Sequence, residues 1–180
     1  MRSEGEVRGG QGVSVPHERG RGDPGKRKDV HERALGLLAV RQRSRREIQR
    51  RLERAGFGPE EIGEELDRLQ QVGLVDDEAF ARVVVEHSFT TRREGRRVVA
   101  GRLISAGIAP DIVEAALDPV VGGEEERADA LAVAKAAKLS SLPPDAAYRR
   151  LYGMLARRGY APDVAGRAAR RALAVEAFED

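Results

Sequence analysis

The sequence is 180 residues long, carries a net charge of +2 and contains no cysteine. The lack of cysteine excludes disulfides and thiolate metal ligands. Because no apolar run reaches the length of a membrane helix either, we expect a cytoplasmic protein with no membrane partner. Aromatic residues make up only 4%, and the abundance of Ala, Leu, Arg and Glu favours helices. Arginine outnumbers lysine by 28 to 4, and its planar fork suits phosphate or carboxylate groups, although a GC-rich genome would enrich arginine equally well.

The first 28 residues are rich in glycine and charge and contain few apolar side chains. Such a segment cannot bury enough surface to offset the entropy lost on ordering, so we predict that residues 1–28 form a disordered tail. The segment through Asp29 holds seven basic and five acidic residues and thus carries the whole net charge. We expect a helical body without net charge from Val30 onward.

A five-residue template occurs three times in that body. It consists of two apolar residues four apart, a glycine four further on, a large apolar residue and, two positions later, a proline. The copies are separated by 51 and 52 residues, a period typical of arrays of supersecondary units. They are Ile48, Leu52, Gly56, Phe57 and Pro59, then Val99, Leu103, Gly107, Ile108 and Pro110, and finally Leu151, Leu155, Gly159, Tyr160 and Pro162.

Each template predicts a helix, a tight turn and a second helix. Apolar residues four apart share one helix face, glycine suits a left-handed C-terminal stop, and proline suits the first turn of the next helix. An amphipathic segment precedes each template, so we predict an all-α fold of three tandem three-helix repeats, about nine helices in total. The predicted repeats are residues 29–75, 76–120 and 121–180.

Capping residues and apolar spacing set the predicted helix bounds. In the first repeat the helices are Val30–Val40, a helix capped by Ser44 with Glu47 completing a capping box, and Pro59–Val72. In the second they are a helix capped by Asp76 or Asp77 and passing through Val85, then 94–106 and Pro110–Leu117. In the third they are 124–139, 145–158 and 162–178. We expect the segment 90–93 to be a flexible loop.

The sign of the charge alternates along the repeats. Residues 31–54 sum to +5 and residues 55–80 to −7, and the next two blocks, 81–107 and 108–130, sum to +4 and −6. The middle helix of each repeat is therefore basic, and the third tends to be acidic. Two interpretations remain open. The helices pair across repeat boundaries as exposed salt bridges, or the basic helices align into a stripe that meets a polyanion or an acidic protein.

No arrangement in the sequence indicates catalysis, a metal site or a bound cofactor. His17, His31 and His87 lie far apart and lack metal-ligand spacing, and no glycine-rich loop follows a strand. Asp76 and Asp77 precede an amphipathic helix, which favours an N-cap and a first-turn charge over acid–base chemistry. We therefore expect a protein that is not an enzyme.

Several segments of the body resemble the RecX family of regulatory proteins. Residues 74–81, which include Asp76, Asp77 and Phe80, are similar to the acidic "IDD..FA" signature of that family. Residues 34–47 resemble its opening "AL.LL..R.RS..EL" pattern. Residues 95–108 resemble its second repeat, and 157–160 its third. The order and spacing of these pieces agree, and the resemblance covers about residues 30–175.

The resemblance implies an elongated, curved array of three-helix repeats that modulates the RecA recombinase in DNA repair and the SOS response. Members of the family bind in the groove of the RecA–single-stranded DNA filament and inhibit its growth, ATP hydrolysis and strand exchange, and some also touch DNA. We accordingly expect a monomer that uses no cofactor and binds the filament through arginines in and around its middle helices. The candidates are Arg43, Arg45, Arg46, Arg50, Arg51, Arg54, Arg92, Arg93, Arg96, Arg97, Arg102, Arg149, Arg150, Arg157 and Arg158.

Two other functions fit the same pattern. A helical repeat protein that binds nucleic acid directly would place its basic helices on phosphates, but the acidic third helices and the lack of net charge from Val30 onward disfavour it. A helical adaptor for another protein would use the same surface. Recovery of RecA in a pull-down separates an adaptor of that kind from a RecA regulator.

Overall fold

The computed structural model describes residues 29–118 and 123–179, with side chains through Ala174. These residues form nine α-helices and no strand, which confirms the predicted all-α fold. None of the described helices has the length and apolar character needed to span a membrane. The predicted tail, residues 1–28, lies outside the described residues. The helices are α1 (Val30–Val40), α2 (Arg45–Arg54), α3 (Pro59–Gln71), α4 (Asp77–Thr90), α5 (Arg96–Ala106), α6 (Pro110–Leu117), α7 (Glu124–Ala136), α8 (Pro144–Arg157) and α9 (Pro162–Glu179).

The helices group into three repeats, each with its own apolar core. Repeat 1 comprises α1–α3, repeat 2 comprises α4–α6 and repeat 3 comprises α7–α9, so α2, α5 and α8 are the middle helices. The template leucines Leu52, Leu103 and Leu155 are each 0% exposed. Repeat 3 differs in its small core residues, which allow α7 and α9 to approach closely along their length. These residues include Ala128, Ala132, Ala165, Ala168 and Ala169.

The helix ends follow the predicted capping chemistry in most places. Ser44 caps α2, and its hydroxyl oxygen accepts a hydrogen bond from Glu47 N–H at 3.1 Å. The Asp76 carboxylate caps α4 by accepting from Ala79 N–H at 2.8 Å. The Glu47 carboxylate departs from the predicted capping box, because it accepts two hydrogen bonds from the Arg41 guanidinium at 3.0 and 3.1 Å. An ion pair therefore takes the place of the reciprocal half of that box.

The connection between α4 and α5 begins one residue later than predicted and makes contacts with repeat 3. Helix α4 continues to Thr90 because Phe89 is buried in the core of repeat 2. The loop after it is held by repeat 3, since the Tyr160 hydroxyl donates to the Arg93 carbonyl oxygen at 3.1 Å. The two residues are 67 positions apart, and no local pattern in the sequence indicates such a contact.

The repeats join through the ends of their middle helices, and the first junction relies on side chains. At this junction the N-terminus of α2 lies against the C-terminus of α5. The Ser44 hydroxyl donates to the Ala106 carbonyl oxygen at 2.7 Å, and the Arg50 guanidinium donates to the Ser105 carbonyl oxygen at 3.1 Å. The last carbonyl groups of a helix have no hydrogen-bond partner within it. These two bonds provide such partners for α5 from the neighbouring repeat.

The second junction repeats this arrangement with backbone groups. At the start of α5, Gly95 N–H donates to the Arg158 carbonyl oxygen at 2.7 Å, and Arg97 N–H donates to the Gly159 carbonyl oxygen at 3.2 Å. A Cβ atom on Gly95 would lie 2.3 Å from the carbonyl carbon of Gly159. Only glycine allows so close an approach of two backbones. The three middle helices thus follow one another in a head-to-tail row.

An acidic side chain completes each junction. The first N–H of α2, that of Arg45, donates to Asp77 Oδ1 at 2.8 Å. The first N–H of α5, that of Arg96, donates to Glu124 Oε1 at 3.1 Å. Both carboxylates stand at the start of the following repeat, and a helix N-terminus favours negative charge. The pair Asp76 and Asp77 therefore serves two helices, since the first residue caps α4 and the second caps α2.

Truncation of a template leucine should lower the free energy of unfolding. Leu52→Ala, Leu103→Ala and Leu155→Ala should each cost about 2–5 kcal/mol, because each leaves a cavity in a closely packed core. Urea unfolding followed by circular dichroism measures this loss. Ile104→Ala is the matched control, since Ile104 follows Leu103 but is 60% exposed and its loss should be small. A leucine variant as stable as the control would contradict the prediction.

Gly95→Ala should disrupt the second junction, because the added methyl group overlaps the backbone of Gly159. No side-chain movement can relieve a clash with backbone atoms. We expect a loss of roughly 2 kcal/mol or more in unfolding free energy, with faster exchange of the Arg97 amide hydrogen. Gly101→Ala, inside the helix that Gly95 precedes, is the control. Its methyl group meets nothing within 4 Å, so it should stabilise the protein by up to about 1 kcal/mol. Equal melting temperatures for the two variants would disprove this account of the junction.

Candidate partner-binding surface

The predicted arginines occupy different environments, and Arg43 belongs to the core. It is 6% exposed, and its Nε–H donates to the Leu37 carbonyl oxygen at 3.0 Å. Burial lowers the pKa of Arg43 from its ordinary value, as do the nearby guanidinium groups of Arg41 and Arg51. Its side chain ties α1 to the start of α2 and is not available to a partner. We therefore set Arg43 apart from the candidate surface.

Arg45 and Arg96 begin α2 and α5, and each binds the acidic third helix of its own repeat. Arg45 pairs with Asp67 at 2.8 Å and also contacts the Gln70 side-chain oxygen. Arg96 pairs with Glu114 at 2.7 Å. Basic and acidic helices therefore form salt bridges within a repeat. One interpretation of the sequence placed such salt bridges across repeat boundaries.

Arg102 is also committed to the fold. Its guanidinium forms a two-pronged ion pair with the Glu94 carboxylate, at 2.6 and 2.7 Å, and donates to the Ser88 hydroxyl at 2.6 Å. These contacts connect α4, the following loop and α5. Hydrogen bonding from Arg102 is the main cause that lowers the pKa of Glu94, and burial opposes this shift.

Three neighbouring depressions share lining residues and cross all three repeats. The largest, of about 640 Å³, lies between repeats 1 and 2. A second of about 400 Å³ lies between repeats 2 and 3, and a third of about 250 Å³ lies on repeat 3. Arg92 lines the first two and Arg157 lines the last two, so the depressions form one run, which we call the basic face. Its lining residues with ionisable side chains are Arg41, Glu47, His87, Arg92, Glu94, Arg102, Lys135, Lys138, Arg150, Arg157 and Arg158.

The basic face has an excess of positive charge. Both of its carboxylates are already paired, Glu47 with Arg41 and Glu94 with Arg102. Among the described residues, the third depression is lined by four basic side chains and by no acidic one. A concave surface of this kind raises the local concentration of anionic groups, whether carboxylates or phosphates.

Five of the predicted arginines line the basic face, namely Arg92, Arg102, Arg150, Arg157 and Arg158. None of the α2 arginines lines the three depressions. Arg46, Arg51 and Arg54 are exposed, and Arg50 is half-buried at the first junction. Outside the three depressions there are three further exposed candidates, Arg93, Arg97 and Arg149.

The sequence interpretation missed four basic lining residues, Arg41, His87, Lys135 and Lys138. It concentrated on the middle helices, whereas these residues come from α4, from the end of α7 and the short 3-10 turn after it, and from the segment before α2. One signal was available for the lysines, because Lys135 and Lys138 are the only lysines after the tail and lie three positions apart. Nothing local distinguished Arg41 or His87.

The described residues contain no group of three or more histidines and carboxylates that could hold a metal ion. His31 is hydrogen-bonded instead to the buried carboxylate of Glu65, at 2.7 Å. His87 lines the largest depression, and His17 lies outside the described residues.

Three family models match the chain in order. The first three-helix domain of RecX matches residues 31–69, the second matches residues 76–117 and the third matches residues 123–168. The chain belongs to the RecX family. Each model covers one of the three repeats, so the assignment rests on nearly the whole helical body.

RecX relatives are similar over most of their length. The chain is 34% identical to the Regulatory protein RecX of Mycobacterium sp. (strain JLS) over 148 residues, which are 79% of this chain and 81% of that protein. It is 37% identical to the Mycobacterium ulcerans (strain Agy99) protein over 146 residues, 79% of this chain and 84% of the relative. With the Thermobifida fusca (strain YX) protein the identity is 36% over 156 residues, 84% of each chain.

Solved RecX structures share the fold. The crystal structure of RecX from Lactobacillus salivarius superposes with a TM-score of 0.72 at 22% identity, covering 79% of this chain and 94% of that one. A second, described as the crystal structure of regulatory protein RecX, gives 0.69 at 22% identity and covers 75% and 68%. This likeness concerns the arrangement of the helices and does not extend to individual side chains.

Glu94→Gln should destabilise this RecX-family chain by about 1–2 kcal/mol at neutral pH, because it breaks the ion pair with Arg102. Arg102 holds the pKa of Glu94 below its ordinary value of 4.5. The pair therefore contributes its full stabilisation above pH 4.5 and loses it as the pH falls through the lower pKa of the folded state. Urea unfolding over a pH series should show the two proteins converging in acid.

Glu114→Gln is the control for this series. The Glu114 side chain is 66% exposed and pairs with Arg96, so its loss should cost less than about 1 kcal/mol. A Glu94→Gln deficit that stays constant into strong acid would show that the ionised carboxylate is not the source of the stabilisation.

Proposed function

We propose that this chain regulates the RecA recombinase by binding the RecA–single-stranded DNA filament and inhibiting its growth, ATP hydrolysis and strand exchange. The observation that carries the proposal is the match of all three RecX domain models in chain order. Relatives named as regulatory proteins support it further. In this proposal the protein acts in DNA repair and the SOS response, as a cytoplasmic monomer that needs no cofactor and is not an enzyme.

The whole array is the proposed functional unit. We take residues 29–75, 76–120 and 121–180 as its three repeats and residues 1–28 as a tail. The basic face draws its lining from every repeat, so no repeat carries it alone. A filament is itself a linear, repeating partner, and a row of three similar repeats can follow it over several subunits.

Electrostatic attraction supplies the first contact in this proposal. The basic face meets acidic groups on the filament, which speeds association more than it strengthens the final complex. Added salt screens such attraction, so the rate of association should fall as ionic strength rises. The exposed α2 residues Arg46, Arg51 and Arg54 lie outside the three depressions and remain candidates for filament contact.

The double variant Arg92→Glu with Arg157→Glu should inhibit RecA poorly, because these two residues connect the three depressions. We expect the concentration needed for half-inhibition of the DNA-dependent RecA ATPase to rise at least roughly tenfold. The assay adds the protein below the RecA concentration. The control is Arg82→Glu, whose residue is exposed on α4, pairs with Glu78 at 3.6 Å and lies outside the basic face.

Two results would count against the proposal in different ways. If the unaltered protein neither inhibits RecA nor binds preformed filaments, the proposed function is wrong. If inhibition survives both charge reversals, RecA regulation stands but the basic face is not its contact surface.

Direct binding of nucleic acid is the second candidate, and the positive charge of the basic face favours it. Such a protein would bind bare DNA tightly, and its affinity would fall steeply with salt as phosphate counterions are released. A RecA regulator should bind filaments more tightly than the same DNA without RecA. Pull-down of RecA then separates regulation from an adaptor function toward another protein.

A further inference from the structure

The largest depression combines an apolar lining with basic residues. Val83 and Val84 of α4 contribute aliphatic surface, and the buried side chains of Phe80 and Leu103 lie beneath them. We call this depression the valine groove. At about 640 Å³ it falls within the roughly 300–1,000 Å³ typical of ligand pockets.

The exposure of Val83 has no role in packing the core of repeat 2. Its side chain is 54% exposed, whereas Phe80 and Leu103 are buried in the core of repeat 2. Single exposed apolar residues are common on protein surfaces. Val83 differs from the other large apolar residues that are exposed in the described chain, because it lies inside a depression of the basic face. It can therefore be covered by one side chain of a partner.

The charged lining of the groove is positive. Arg102, which is itself paired with Glu94, lines it together with Arg41, Arg92 and one carboxylate of the described residues, that of Glu47. This carboxylate is bound by Arg41, so it does not repel an incoming anion as a free carboxylate would. Arg92 is exposed and is available to pair with an acidic group close to an apolar contact. The groove thus complements negative charge that flanks an apolar side chain.

We propose that the valine groove binds an acidic peptide segment of a protein partner, with one aliphatic side chain of that segment packed on Val83. Peptide recognition commonly pairs an apolar anchor with charged neighbours in this way. If the partner is RecA, the inference also rests on the proposed function. A nucleic acid fits the groove less well, because Phe80 is only 7% exposed and offers no face on which a base could stack.

The groove spans the first junction, so its occupant would contact two repeats. Its lining includes Arg41 of repeat 1 and the last turn of α5, with Ser105 and Ala106. The carbonyls of these two residues accept the junction hydrogen bonds from Arg50 and Ser44. A bound peptide would therefore stabilise the contact between repeats 1 and 2 as well as bury Val83.

Fluorescence anisotropy with defined probes tests the proposal on the full chain. The probe is a fluorescein-labelled peptide of about twelve residues in which Asp and Glu alternate with Leu. Two matched peptides replace every Leu by Ser or every carboxylate by its amide, and a dT oligonucleotide of similar length is the nucleic-acid probe. We expect the acidic leucine peptide to bind most tightly, with each replacement weakening binding roughly tenfold.

Two protein variants locate the site. Val83→Ser removes aliphatic surface without changing charge, and it should weaken binding of the leucine peptide roughly fivefold. Val133→Ser is the matched control, because Val133 is 50% exposed on α7 and lies outside the basic face. Both residues are exposed, so both variants should keep the melting temperature of the unaltered protein. Equal binding of the serine and leucine peptides, or a Val83→Ser variant that binds as well as the control, would overturn the proposal.

The RecA ATPase assay, run with the same two variants, separates this inference from the proposed function. If Val83→Ser loses peptide binding but inhibits RecA as well as Val133→Ser does, RecA regulation stands and the groove has no role in it. If no form of the protein inhibits RecA while the peptide still binds at Val83, the proposed function fails and the groove is supported as a site for another acidic partner. If the oligonucleotide competes with the peptide and Val83→Ser has no effect on binding, the ligand of the groove is nucleic acid and the peptide proposal is wrong.

Discussion

Hydrogen bonds between the ends of the middle helices determine how the three repeats are arranged. A helix leaves N–H groups at its start and carbonyls at its end without internal partners. Here the neighbouring repeat satisfies part of that requirement, through Ser44 and Ala106 at one junction and through Gly95 and Arg158 at the other. Such bonds are directional, so they set α2, α5 and α8 head to tail. The basic face crosses both junctions, and its continuity from one repeat to the next follows from this arrangement.

The parts of the fold that depend on neighbouring residues could be predicted from the sequence. The bounds of α1 and α6 agree with the prediction, because a capping residue or proline begins each helix and the apolar spacing within a few turns defines its length. Gly107 and Gly159 have φ angles of +85° and +91°, as a glycine stop requires. The buried template leucines follow from the same local pattern. Repetition strengthened each of these assignments, since one pattern had to explain three segments.

The roles of individual arginines could not be predicted in this way. Arg43, Arg102 and Arg157 all lie in or beside basic middle helices, and nothing in their local sequence distinguishes them. Their environments differ because of residues elsewhere in the chain. The Leu37 carbonyl accepts from Arg43, Glu94 binds Arg102, and Arg157 lies between two depressions. A count of charge per helix therefore identifies where positive charge concentrates, but only tertiary contacts determine which guanidinium groups remain available to a partner.

The two junctions differ in the groups that form them, and this difference bears on how the valine groove works. The side-chain bond of the half-buried Arg50 can be lost by a change of rotamer, whereas the bonds of Gly95 and Arg97 break only if the backbone moves. The first junction therefore contains one contact, that of Arg50, that can adapt without movement of the backbone. An occupant of the groove would have to fix that contact, which costs conformational entropy and reduces affinity. Exposed charge pairs contribute little in water, so burial of an apolar anchor on Val83 is the interaction best able to offset this cost.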